Sequence, residues 1–202
     1  MPTFLHVGCG PARKAQTTRG FAGPDWVEIR LDVDPAVKPD IVGSMTDMSA
    51  VPDGAVDAIF SSHNIEHLYP FEAPIALKEF LRVLRPDGFL VLTCPDLQSV
   101  CALVAQDRLL EPAYNSSAGP ISPLDILYGH RPALAQGNLF MAHRSGFTQR
   151  VLRALLLEAG FGSVADMRRE RAFDLWAVAS KAQRPREAMA ELARQHLPLS
   201  KA

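Results

Sequence analysis

The chain has 202 residues, of which 48% are hydrophobic and 21% charged, and its net formal charge is −1. That length suits one domain with a substantial core, and the near-neutral charge lacks the basic footprint of a nucleic-acid binder. No apolar run nears the roughly 20 residues of a membrane span and no charged-then-apolar leader opens the sequence; Cys9, Cys94 and Cys101 have no metal-ligand spacing and read as reduced thiols, so a cytoplasmic protein away from membranes is expected.

The first element is an apolar strand at 4–7 that stops on Gly8-Cys9-Gly10. Glycine is favoured where backbone takes positive φ or approaches a ligand, and open α/β sheets bind nucleotides just past their strand ends. A tight turn is the competing reading of so short a motif. Residues 11–24 have no apolar period and read as a loop, and Arg13 stands where a dinucleotide site would carry its third glycine. A second strand, 26–33, ends in "LDVDP", which puts Asp32 and Asp34 about 20 residues past the glycines, where an acid accepts from ribose hydroxyls.

A third strand, 55–62, follows the turn Pro52-Asp53-Gly54. The spacing of Ala73, Leu77, Phe80, Leu81 and Leu84 predicts a helix over 72–85 with one apolar face, stopped by Pro86-Asp87-Gly88. The strand 89–94 is almost wholly apolar, as in a sheet covered on both faces. Asp96 is expected to cap a helix with Leu97, Val100, Cys101 and Val104 on one stripe. Residues 111–146 carry four prolines and read as irregular. Thr148 is expected to cap a further helix that ends at Gly160, two strands near 163–171 and 173–181 close the domain, and 182–202 is a polar tail with a weak helix around 188–197.

Taken in order, "GCG", "LDVDP", "VPDGAVDAIFSSHNIEHL", "ALKEFLRVLRPDGFLVLTCPD" and "HRSGFT…LLLEAGF" resemble the class I S-adenosylmethionine-dependent methyltransferases, in their small type-11-like group. The resemblance spans about 4–180. It implies an α/β fold: a Rossmann-like doubly wound seven-stranded sheet in order 3-2-1-4-5-7-6, the last strand antiparallel, with helices on both faces. A single domain is expected over 1–181, with 97–146 as a substrate-side insertion or lid and 182–202 as a C-terminal tail. The family's N-terminal covering helices are absent, so cover must come from 97–146 or from a second copy of the chain, as in a homodimer.

The same resemblance implies S-adenosylmethionine as cofactor and S-adenosylhomocysteine as product. It sets Gly8, Cys9 and Gly10 under the methionine end, Asp32 on the ribose with Asp34 beside it, and Ser61, Ser62 and His63 near the carboxylate and reacting methyl. The adenine stretch is "GSMTDM" at 43–48, where Ser44 replaces the usual acid; Ser44, Met45, Asp47 or backbone are the candidates.

For proton removal the candidates are His63, His143 and His130, since imidazole titrates near neutrality. His6 reads as structural and His196 as solvated. Tyr128 and Arg144 are candidates for holding an acceptor. His63, Glu66 and His67 form H-x-x-E-H, a pattern that invites a metal; no metal is expected, because the family's E-H-L is structural. The expected reaction is O- or N-methylation of a small molecule or glycan precursor, without nucleic acid. A non-catalytic methyltransferase-like binding protein and an NAD-dependent oxidoreductase remain as alternatives.

Overall fold

A computed structural model describes residues 1–116 and 118–198. Along the chain come β1 (Thr3–Val7), α1 (Arg19–Ala22), β2 (Val27–Asp32), β3 (Ile41–Val42), β4 (Val56–Ser62), α2 (Ala73–Val83), β5 (Leu84–Pro95) and α3 (Leu97–Val104). Then follow β6 (Tyr114–Ser116), β7 (Gly119–Ile121), α4 (Pro123–Tyr128), α5 (Arg131–Ala135), α6 (Gln149–Ala159), β8 (Ser163–Arg169), β9 (Asp174–Ser180) and α7 (Arg186–His196). One sheet has the order β3-β2-β1-β4-β5-β9-β8, and β6 and β7 make a separate hairpin. Pairing is parallel from β3 to β5, while β9 runs antiparallel to both of its neighbours. Counted within this sheet alone, that is the expected order 3-2-1-4-5-7-6 with the closing strand reversed.

The apolar strands are buried on both faces because alternate residues feed two cores. In β5, Leu90 and Leu92 join Leu77, Phe80, Leu152 and Leu156 on the side of α2 and α6. Phe89 and Val91 join Phe4, Phe60, Phe21 and Met189 on the side of α1 and α7. Caps fall where the sequence sets them. Asp96 accepts from the Gln98 and Ser99 amides, Thr148 accepts from Val151, and Gly160 ends α6 in the left-handed region at φ 112°. The loop 11–24 holds only a 3-10 turn, Lys14–Gln16, and the four-residue α1.

Two regions differ from expectation. The stretch 111–146 is not structureless, since it carries the β6–β7 hairpin, α4 and α5. The other is the tail. Residues 199–202 lie outside the described residues, but α7 packs on α1, β8 and β9. His196 is therefore not solvated: it is 2% exposed, its ring lies 4.3 Å from Phe21 and 5.0 Å from Phe89, and its Nδ1 meets Thr18 Oγ1 at 2.8 Å. Burial, helped by Arg19, depresses its pKa to about 4.

An unfolded chain protonates this imidazole below about pH 6.5, whereas the folded chain resists until about 4. Stability is thus complete above pH 6.5 and falls by about 3 kcal/mol as pH drops between those values. Thermal melts from pH 7 to 4.5 should show this loss, and His196→Leu should flatten the profile. Parallel profiles for the two proteins would remove the assignment.

Candidate functional site

The end of β1 opens into the glycine loop, which is tied to β2 at both its amide and its carbonyl. Gly10 N donates to Asp32 Oδ2 at 2.7 Å, and the Arg30 guanidinium donates to the Gly10 carbonyl. Arg30 and Asp32 are two apart on a strand, so both side chains leave β2 on the same face. Arg30 is only 2% exposed and also donates to the Lys38 carbonyl at 2.8 Å. Asp32 Oδ1 accepts from the Asp34 amide at 2.9 Å, and the Asp34 carboxylate in turn caps Ala36.

Gly8 and Gly10 both have positive φ, +64° and +50°. Their surroundings differ. A Cβ on Gly8 would stand 2.2 Å from the Asn64 side chain, whereas one on Gly10 would meet nothing within 4 Å. Asn64 fills the space at Gly8 because its amide donates to Val7 O at 3.0 Å and Ser62 O at 2.9 Å, latching the ends of β1 and β4.

Above Gly10 lies a cleft of about 490 Å³, walled by the β2 end, residues 43–46, residues 62–64 and residues 138–144. That is ample for a nucleoside-sized ligand. The open floor at Gly10 and the Asp32 carboxylate, each oxygen still having a free lone pair, fit the ribose and methionine parts of S-adenosylmethionine. A smaller cavity of about 240 Å³ adjoins it, bounded by α3, α4 and residues 143–146, and Arg144 lines both spaces. The Arg144 guanidinium lies over the Tyr69 ring, 5.0 Å from its centroid.

Between the two cavities stand Glu66, His67 and His143. Glu66 is 1% exposed and neither carboxylate oxygen has a hydrogen-bond partner. His63 Nδ1 is 3.4 Å from Glu66 Oε1, an ion-pair distance without hydrogen-bond geometry. His67 Nδ1 donates to Ala142 O at 3.1 Å and His143 Nδ1 to Ile126 O at 2.7 Å, and the two rings are 4.8 Å apart. The His143 pKa is lowered by burial, against the raising effect of Glu66. For His63, whose side chain is half exposed on the cleft, partial desolvation by the surrounding protein disfavours the charge, but its contact with Glu66 outweighs it and raises the pKa. His63 itself has φ +54°, a strained backbone for a non-glycine residue at a site.

Residues 5–92 match a family model described as a methyltransferase domain, of type 11. That match covers less than half of the chain, and over it the chain is similar to the type-11 methyltransferase domain. The methyltransferases to which it is similar use S-adenosylmethionine as methyl donor. No curated protein matches the chain in sequence. Among solved structures, a Methanosarcina mazei S-adenosylmethionine-dependent methyltransferase is similar at TM-score 0.60 and 16% identity, over 91% of this chain and 93% of that one. The 1,6-didemethyltoxoflavin-N1-methyltransferase of Burkholderia thailandensis, with 1,6-didemethyltoxoflavin and S-adenosylhomocysteine bound, gives TM-score 0.55 and 15% identity over 90% and 72%. A protein of Bordetella parapertussis gives TM-score 0.57 and 18% identity over 90% of this chain, which spans 62% of that one. At such identities the neighbours speak for the fold.

In this chain the cleft gathers Gly8, Gly10, Asp32, Asp34, Ser44, Met45, Ser62 and His63. Cys9 and Ser61 lie behind it, 3% and 1% exposed, and burial pushes the Cys9 thiol up to about 11. Asp47 does not line the cleft, because its carboxylate accepts from the Ser49 amide at 3.1 Å. The Ser44 hydroxyl is taken up by Thr46, at 2.7 Å. His143 and Tyr128 line the smaller cavity, and His130 lines a third, beside Asp125 and Arg131. Sequence reasoning passed over Asn64, Arg30, Phe140 and Met141. The spacing of Arg30 and Asp32 on one strand face was a readable signal; the others owe their place to the fold. Among the described residues no helix is long and apolar enough to cross a membrane.

Proposed function

We propose that this chain moves the methyl group of S-adenosylmethionine to an oxygen or nitrogen atom of a small molecule or sugar held in the smaller cavity. The observation that carries this reading is that cavity itself: about 240 Å³, sharing Arg144 with the cleft and lined mostly by residues of 97–146. It suits a compact acceptor. The net charge of −1 lacks the overall positive balance that favours a polyanion.

The cofactor supplies a methyl on a sulfonium, which leaves as a neutral thioether. The chain's own part is alignment, worth roughly 7–11 kcal/mol in well-oriented reactions. Asp32 is assigned to the ribose hydroxyls with Asp34 beside it, the Gly8–Gly10 strap to the methionine end, and Ser44 and Met45 to the adenine side. Cys9 and Ser61 support that wall from behind. His63, exposed on the cleft and backed by Glu66, is assigned to take the acceptor proton. His143 and Arg144 are assigned to holding the acceptor, and His130 is given no role.

The test is turnover. The purified chain is incubated with S-adenosylmethionine and panels of hydroxylated and amino small molecules, sugars included, beside RNA, DNA and protein panels, with S-adenosylhomocysteine and methylated product read by mass spectrometry. Formation of both with a small acceptor is expected. Turnover confined to the macromolecules would overturn the reading.

A further inference from the structure

We propose that Glu66, His67 and His143 form a site for one divalent first-row transition ion of the Zn2+ class, set in the wall between the two cavities. One ligand atom from each of the three residues lies within 4.8 Å of the others.

The hydrogen bonds make the case. A carbonyl oxygen can only accept, so the bonds to Ala142 O and Ile126 O fix Nδ1 as the protonated nitrogen of each ring. In its neutral form each imidazole then keeps a lone pair on Nε2. The Glu66 carboxylate is acceptor-only as well, is 1% exposed, and has no partner on either oxygen. Two half-buried imidazoles thus stand beside a buried carboxylate that has no hydrogen-bond partner and only the ion-pair contact of His63 at 3.4 Å, and a buried carboxylate without hydrogen bonds is costly. A cation resolves this. An imidazole bound through Nε2 while Nδ1–H donates to a backbone carbonyl is the outer-shell arrangement typical of metal-binding histidine.

The backbone holds the three residues together in advance. The Arg144 and Ser145 amides both donate to Glu66 O, at 2.8 and 3.1 Å, and His143 N donates to Tyr128 O at 3.2 Å. Two imidazoles and one carboxylate favour Zn2+ or its neighbours over Mg2+ or Ca2+, which take oxygen ligands. A tetrahedral ion with ligands near 2.1 Å sets them about 3.4 Å apart, so loading draws the ligand atoms inward. Three protein ligands leave a position open. Glu66 and His143 line the smaller cavity and His67 the larger, so that position suits an oxygen or nitrogen donor of the acceptor. This use rests on the methyl-transfer reading, whereas ion binding does not.

The full chain, stripped with a chelator and dialysed, is titrated with Zn2+ by calorimetry and with Co2+ by visible absorption. One equivalent should bind, with a tetrahedral or five-coordinate Co2+ spectrum. Glu66→Gln and His143→Ala should each weaken binding by at least about 10-fold, and His130→Ala should not. Absence of a stoichiometric site, or equal binding by Glu66→Gln and His143→Ala proteins that keep the wild-type circular dichroism, overturns the proposal. S-adenosylhomocysteine binding to the same stripped protein is measured in parallel. Its failure would count against the methyltransferase site and leave the ion result standing.

Discussion

Replacing Asp32 with alanine is expected to raise the Kd for S-adenosylhomocysteine by about 100-fold or more. The carboxylate is 8% exposed and sits at the mouth of the cleft, with one lone pair on each oxygen spent on the Gly10 and Asp34 amides. The remaining pair on each oxygen suits a ribose diol. Hydrogen bonds to a charged group contribute about 1.5–3 kcal/mol each, so losing two removes about 3 kcal/mol or more, which is the stated factor. Asp32→Asn keeps one acceptor and should fall between the two. Alanine also leaves the Gly10 amide without its partner, at a cost of about 1–3 kcal/mol. Calorimetry should therefore run well below the melting temperature, with circular dichroism confirming the fold. A variant that keeps its fold and binds as the wild type does would take Asp32 out of the cofactor site.

The parts of this chain that could be read from the sequence are those whose causes are local. The β1 strand ends on glycines because the backbone there needs positive φ. Asp96, Thr148 and Gly160 cap helices through neighbours within a few residues. The buried part of β5, 89–94, declares itself by an almost wholly apolar run, and the reversed final pair by two short strands with a turn between them. What escaped reading is held by distant contacts. The strand β3 has two residues and pairs only as Leu31↔Ile41 and Asp32↔Val42. The segment after α3 takes its shape from bonds such as Arg144 N to Glu66 O, 78 residues apart in sequence by their numbers. That bond, with His143 N to Tyr128 O, brings His143 to Glu66 and His67, so the H-x-x-E-H motif alone conveys only part of the cluster. The tail looked solvated because its composition is polar, yet Met189 of α7, Leu197 just after it and the ring of His196 join the cluster of Phe21 and Phe89.

Alanine at Gly8 and alanine at Gly10 are expected to fail in different ways, although both residues have positive φ. At Gly8 the added methyl would lie 2.2 Å from Asn64 Cγ and Oδ1, and Asn64 cannot swing aside without giving up its bonds to Val7 O and Ser62 O. Left-handed strain and overpacking together should cost about 3 kcal/mol or more, enough to lower the melting temperature sharply or prevent folding. Shortening the obstacle with Asn64→Gly should restore part of the loss in the double variant, since only the strain and the missing latch then remain. At Gly10 nothing in the protein lies within 4 Å of the new methyl, so stability should drop by only about 1–2 kcal/mol, the strain alone. The methyl instead occupies the floor of the cleft, and S-adenosylhomocysteine affinity should fall by at least about 30-fold, roughly 2 kcal/mol. A folded Gly10→Ala protein that binds this ligand like the wild type would mean that the ligand does not rest on the Gly10 backbone. Equal destabilisation by the two substitutions would mean that the space above Gly10 is filled by protein.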